Sequence, residues 1–379
     1  MKIAGIVAEY NPFHNGHKYI IDKAREYGDV ICIMSGAFTQ RGEPAIVDKY
    51  SRASQAIANG ASAVIELPTL YATSSAQFFA YGAAKIISEI DDVTHIVFGA
   101  ETSDVELLTD VAKQKNKPET ISRTKQIMKT GVSYANALCL ALGEADNRYS
   151  SVLNFPNNLL AVEYLAQLDE TAVTPIAVKR TVMHDAETAS GKFASASYIR
   201  KAITTGDKAS LKRFMPAAML EECNNLPDIK LFENLMLYSL LNKTINELSE
   251  IKDIENGLDA LIYQSVRNVN SVGELIEKIK SKRYTYARLR RVLLYSLLNI
   301  NKHIMSDITS IKTRILAIKK EFKPHLSDFN SKSIITRNSM ISDDFLDESV
   351  KLDMRANDIY SLLCGKKFNN YLSQPMLII

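Results

Sequence analysis

The chain has 379 residues, of which 46% are apolar and 23% charged, and its formal net charge is +3. That length admits two domains with cores of their own, and so ordinary a composition excludes disorder and fibrous repeats. The charge is too small to name a partner without knowing where the basic residues cluster. Four cysteines (Cys32, Cys139, Cys223 and Cys364) have no paired spacing, which argues for reduced thiols and against a zinc site or a disulfide framework. The opening MKIAGIVAEY turns polar early and lacks a cleavage site, so it reads as a strand and not a signal peptide. No apolar run reaches the roughly 20 residues of a bilayer span, so a cytoplasmic protein with no membrane partner is expected.

In chain order, strands are expected at 2–7, 30–34, 63–67, 94–98 and 173–178, and helices at 16–27, 49–59, 75–90 and 158–168. Short apolar runs alternating with amphipathic stretches predict an α/β domain, with helices covering a parallel sheet. Glu66 falls at the carboxyl end of the third strand, where open sheets gather ligands. After Leu231 the spacing turns helical, so the expected division is a catalytic α/β domain, 1–222, and a mostly helical domain, 223–379.

The sharpest feature is Ala8-Glu9-Tyr10-Asn11-Pro12-Phe13-His14-Asn15-Gly16-His17, directly after the first strand and opening the first helix. A helix start there offers unpaired N–H groups and the positive end of a dipole to an anion such as phosphate, and Gly16 clears the approach. His14 and His17, three apart, can aim at one phosphate and serve as the catalytic pair, steadying charge in phosphoryl transfer. The plainer reading is a pair of capping or surface histidines; placement at strand end and helix start favours function. No third ligand lies nearby, so no metal site is expected.

This H-x-G-H motif, with Ser195-Ala196-Ser197-Tyr198-Ile199-Arg200 further on, resembles the HIGH-motif nucleotidyltransferase superfamily, which implies a Rossmann-like catalytic domain. The second motif departs at Ala196, where that superfamily usually has serine. A serine-rich loop entering a helix offers Ser195 and Ser197 as donors to the outer phosphates, and Arg200 adds a charged fork. Over nearly its whole length the chain is similar to the tRNA(Met) cytidine acetate ligase family, on Gly5–His17, Met34–Ala45, Phe98–Glu101, Pro156–Leu160 and Lys179–Arg180. The resemblance implies that acetate attacks ATP to give acetyl-adenylate, and that the wobble cytidine of elongator tRNA(Met) then takes the acetyl group as 4-acetylcytidine. It also implies ATP contacts from Val7, Ala8, Glu9, Tyr10, Asn11, Pro12, Phe13, His14, Asn15, Gly16, His17, Lys18, Tyr19 and Ile20, and from Gly99, Asn157 or Asn158, and Arg180. Taken singly, Gly99 can be a turn glycine, Asn157 a cap and Arg180 a solvated strand end. Magnesium is expected to accompany ATP, held mainly by phosphates and water.

Gln40, Arg41 and Glu43 follow the second strand and either line an acetate or cytidine pocket or form a plain surface loop. Asp48, Lys49 and Arg52 are expected to cap and pair within a helix, and His184 and Asp185 are weaker phosphate candidates. From Lys278 to Arg291 the chain has seven basic residues, two tyrosines and no acid. Lys278, Lys280, Lys282, Arg283, Tyr284, Arg288, Arg290 and Arg291 are therefore the expected RNA surface, with Tyr284, Arg288 and Arg291 on one helical stripe. A solvated charged helix, the alternative, usually mixes both signs. Two other functions compete. A nucleotidyltransferase joining AMP to a phosphorylated metabolite leaves the helical half unused, and a noncatalytic RNA-binding protein has no reason to keep His14, Gly16 and His17.

Overall fold

The structure, a computed structural model, describes residues 1–379 except 169–170, 181–188, 190, 306–307, 309, 330–331, 337–345, 369–370 and 373. His184 and Asp185 lie outside the described residues. Five strands, β1 (Ile3–Ala8), β2 (Asp29–Ser35), β3 (Ala63–Leu67), β4 (Val93–Ala100) and β5 (Thr174–Lys179), form where the apolar runs place them. All run parallel in the order β5-β4-β1-β2-β3, with Val7 beside Ile33 and Gly99 beside Val178. Alternate side chains leave opposite faces. Ile3, Ile31, Ile33 and Ile65 pack on one side, while Ala4, Ile6, Cys32 and Val64 pack on the other.

The second face is covered by α1 (Asn15–Ala24) and α2 (Lys49–Ala58), the first by the helices Ala76–Ser88 and Pro156–Leu168. Asp48 caps α2 as expected, its carboxylate accepting from the Tyr50 N–H at 2.9 Å. Arg52 does more than pair within that helix. It is fully buried, and its guanidinium donates to the carbonyls of Val47 (2.8 Å), Glu9 (2.6 Å), Ser35 (3.0 Å) and Gly36, stitching together the tips of β1 and β2. Between β4 and β5 the chain inserts further helices over 105–153 that the sequence reading left unassigned, tied to Pro156–Leu168 by the buried Lys115–Glu163 pair at 2.5 Å.

The second half is largely helical, with Ile229–Leu241 packed on Tyr286–Leu298, but strands do not end at the expected boundary. β6 (Thr313–Ile318) lies antiparallel beside β3, and β7 (Ile334–Ile335) and β8 (Leu377–Ile378) pair with it. Position 222/223 marks a change of composition and not the edge of the sheet. Glu66 is also corrected: it is buried against Lys49 at 2.8 Å, with the Tyr371 hydroxyl at 3.1 Å, so it anchors the C-terminal segment and does not line the cavity described below. The halves meet tightly at Gly42, whose φ of +75° and close backbone neighbours at Arg290 and Arg291 leave no room for a side chain.

Candidate active site

A cavity of about 400 Å³ opens at the carboxyl ends of β1, β4 and β5, where strand order reverses between β1 and β4. Open parallel sheets bind ligands at such a reversal. Glu9, His14, His17, Gly99, Asn157, Arg180 and Arg200 all line it, so folding brings the two motifs and the strand-end residues together.

At its base lie the two histidines. His14 is the N-cap of α1, and its Nδ1 accepts from the Gly16 N–H at 3.0 Å; His17 Nδ1 accepts from the His14 N–H at 3.3 Å. A backbone donor on each Nδ1 puts the ring proton on Nε2, so both imidazoles present an N–H donor on the far side. The rings stack at 3.7 Å, and Tyr10 (4.9 Å) and Phe13 (5.8 Å) close around His17. Burial, with Arg180 and Arg200 nearby, lowers His14 to a pKa of about 3. Burial also holds His17 well below the ordinary histidine value, helped by His14 and the same arginines. Both rings are thus neutral donors, and the positive charge comes from the arginines.

Two sequence expectations change here. The first N–H groups of α1 are not free, because Asn15 N donates to Phe214 O, Gly16 N to His14 Nδ1 and His17 N to His14 O. Gly16, which also lines the cavity, makes room for the His14 ring, since a Cβ there would lie 2.8 Å from His14 Cε1. The donors left at this end of α1 are therefore the imidazole N–H groups and not the backbone.

Of the 7–20 segment, Val7, Ala8, Glu9, Tyr10, Asn11, His14, Gly16, His17, Tyr19 and Ile20 line the cavity; Pro12, Phe13, Asn15 and Lys18 do not. Asn15 holds the loops at Lys192 and Arg213, and Lys18 pairs with Asp22. Asn157 faces the cavity with its amide on Glu101 at 2.5 Å, whereas buried Asn158 accepts from the N–H groups of Glu101 and Thr102. Of the two, Asn157 is the one that faces the cavity. Arg180 lines the cavity, and its Nε is buried with no hydrogen-bond partner among the described residues. Arg200 donates to Asn11 O (2.9 Å) and Ser197 Oγ (3.3 Å), while Ser195 caps its helix through the Tyr198 N–H. The serine hydroxyls thus position Arg200 and the helix instead of facing the cavity, and the chain enters the lining at Ala194 and Ala196.

Gln40, Arg41 and Glu43 line the cavity too, so the loop after β2 belongs to the site. The basic stretch splits. Arg291 reaches the cavity and donates to Gln40 O at 3.4 Å, and Arg290 sits near Glu43 (3.5 Å) and Glu233 (3.9 Å). Arg288 donates to Asp253 O, and Lys278 donates to Asn268 O. Tyr284 precedes the helix and is buried, its hydroxyl donating to Glu255 O, so it offers no face to a base; Tyr286 is the exposed ring. Lys280, paired with Glu277, and Lys282 are exposed, and Arg283 is half-buried. Acids absent from the window arrive from other segments on folding. The sequence reading missed the apolar lining of Phe79, Leu160, Tyr164, Phe193 and Ala287, which carries no signal distinguishing it from core.

The HIGH Nucleotidyl Transferase family matches residues 1–374. A tRNA(Met) cytidine acetate ligase of Thermoanaerobacter sp. is 37% identical, over 96% of this chain and 95% of its own. Another, of Clostridium perfringens, is 35% identical over the full length of both. The crystal structure of Thermotoga maritima TmcAL bound with alpha-thio ATP superposes with a TM-score of 0.91 over the whole of both chains, at 27% identity. With its H-x-G-H pair at the strand-order reversal, the chain belongs to the tRNA(Met) cytidine acetate ligase family of HIGH nucleotidyltransferases.

Proposed function

We propose that the chain is an ATP-dependent acetate ligase acting on the wobble cytidine of elongator tRNA(Met). An acetate oxygen attacks the α-phosphorus of ATP, the bond to the β-phosphate breaks, and pyrophosphate leaves with the bonding pair. The acetyl-adenylate then gives its acetyl group to the cytidine amine, releasing AMP and forming 4-acetylcytidine. The observation carrying this is the stacked pair His14 and His17, each held with an Nε2–H donor in the cleft and flanked by Arg180 and Arg200. Neutral donors fixed in advance stabilise charge growing on the α-phosphate without reorganising, and the arginines neutralise the departing pyrophosphate. The names of the relatives support the acid and the RNA. Magnesium enters with the triphosphate, held by phosphate and water; among the described residues no three His, Cys, Asp or Glu side chains gather as a metal site. No helix among the described residues is long and apolar enough to cross a membrane, and a tRNA substrate favours the cytoplasm.

Purified protein is expected to exchange labelled pyrophosphate into ATP only when acetate is present. Exchange without an acid, or one requiring a phosphorylated metabolite, favours the simple nucleotidyltransferase instead. For the tRNA surface, the exposed Lys280 and Lys282 with neighbouring Arg283 are the residues to reverse. Changing all three to Glu is expected to weaken tRNA binding and to flatten its log–log salt dependence by about 2 to 3 units, with exchange retained. Filter binding across a salt series reads this directly, and an unchanged slope would move the RNA elsewhere.

A further inference from the structure

The cavity has a second polar end. Because β1 lies between β4 and β2, groups following β2 approach its tip from the side away from Gly99 and Arg180. Glu9, Gln40 and Arg291 meet there. The Gln40 N–H donates to Glu9 Oε1 at 2.7 Å, and Arg291 Nη1 donates to Gln40 O at 3.4 Å. Gln40 Nε2 is shut off from bulk water with no hydrogen-bond partner among the described residues. A buried donor left unpaired costs stability, and because Gln40 lines the cavity, a turn of its side chain would bring this donor to an acceptor on a ligand. The turn carrying Gln40 is rigid: Thr39 N donates to Glu43 O and Gly42 N to Thr39 O, each at 2.9 Å.

Glu9 and Gln40 both line this end of the cavity, and a carboxylate acceptor with an amide donor in one pocket end is complementary to one nucleobase edge in particular. Cytosine donates from N4 and accepts at N3 and O2, and carboxylates accept readily from N4. Uracil would set its O4 acceptor against the carboxylate. We propose that Glu9 and Gln40 form the subsite for the acceptor cytosine, with the Gln40 amide donating to its N3 or O2 and Glu9 accepting from N4. This rests on the acetate-ligase reading above. In the transfer step the N4 lone pair attacks the acetyl carbon and the new N–C bond forms. The C–O bond to the adenylate then breaks, AMP leaves with its electron pair, and the proton lost from N4 passes to the Glu9 carboxylate. Burial raises the Glu9 pKa despite the hydrogen bond from the Gln40 N–H and the charges of Arg200, Arg52 and Arg41, which makes the carboxylate a better proton acceptor than an exposed one. The base must leave its stack to reach this site, which a single-stranded anticodon permits.

The test compares Gln40→Ala and Glu9→Gln with wild type in two assays on the full-length protein. The first is binding of anticodon stem–loops carrying C or U at the wobble position. Wild type is expected to favour C by about tenfold or more, and both variants to bring that ratio toward one, since a glutamine amide at position 9 can serve either base. The second is the rate of acetyl transfer relative to acetate-dependent exchange in the same preparation; Gln40→Ala is expected to lower that ratio at least about tenfold. An unchanged C/U ratio in folded variants overturns the proposal. So does a loss confined to a higher KM for acetate, which would give the Gln40 amide to acetate instead. Gln40→Ala keeps the test decisive where Glu9→Gln does not fold. Failure of the acetate-ligase reading would look different, as wild-type exchange that ignores acetate.

Discussion

His17→Ala is expected to lower acetate-dependent pyrophosphate–ATP exchange by about 10²–10³-fold, the usual loss for one preorganised donor to developing charge. Its ring does two things that alanine cannot. It places an Nε2–H over the cavity, and through Nδ1 it fixes the His14 backbone at 3.3 Å, while stacking on the His14 ring at 3.7 Å. The KM for ATP is expected to change less than kcat, because the variant leaves the cationic Arg180 and Arg200 in the cavity. Equal losses in kcat and binding would assign His17 to ground-state grip instead.

The same neutrality has consequences for pH. Since His14 titrates at about 3 and His17 is also lowered, kcat/KM for ATP should show no limb at the ordinary histidine value as pH falls from 8 to 6. For stability the sign runs the other way from a salt-bridged histidine. The unfolded chain takes up protons below about 6.5 while the folded rings stay neutral. Their full contribution is present above that value and is lost progressively as pH falls toward 3. Denaturant midpoints measured across this window should fall with pH, and less so in His14→Gln.

The second large effect belongs to Arg52, which touches no substrate. Arg52→Met removes a buried donor set from the carbonyls of Val47, Glu9, Ser35 and Gly36, and is expected to cost about 3–5 kcal/mol in urea unfolding. Arg52→Lys should recover only part, because a single ammonium cannot span the same fork of carbonyls. A loss below about 1 kcal/mol for Met would mean that water replaces the guanidinium. Among folded molecules, exchange should also decline, since the backbone that Arg52 holds at Glu9 leads into the turn carrying His14 and His17.

What could be read beforehand depended on how local each signal was. The β3 segment AVIEL, bounded by Gly-Ala-Ser and Pro, gave its own limits, and the H-x-G-H motif placed both histidines in the cavity. β6 was hidden because TRILAI sits among lysines and carries Arg314, whose guanidinium donates to carbonyls of Tyr371 and Gln374, far along the chain. A second reason for Gly16 was hidden in a similar way: the space it leaves is filled by a side chain two residues back, which no spacing rule encodes. Tyr284 looked like a stacking residue until folding delivered Glu255 to its hydroxyl. Asn157 and Asn158 are chemically alike, and folding separates them by facing Asn157 to the cavity and burying the Asn158 side chain against the Glu101 and Thr102 N–H groups.

A crystal structure of this protein with a nonhydrolysable ATP analogue tests the central claim most directly. The account predicts an α-phosphate oxygen within hydrogen-bond reach of Nε2 of His14 or His17, with Arg180 Nε on the outer phosphates. Phosphates lodged at another edge of the sheet, or imidazoles turned so that Nδ1 meets the nucleotide, would contradict it.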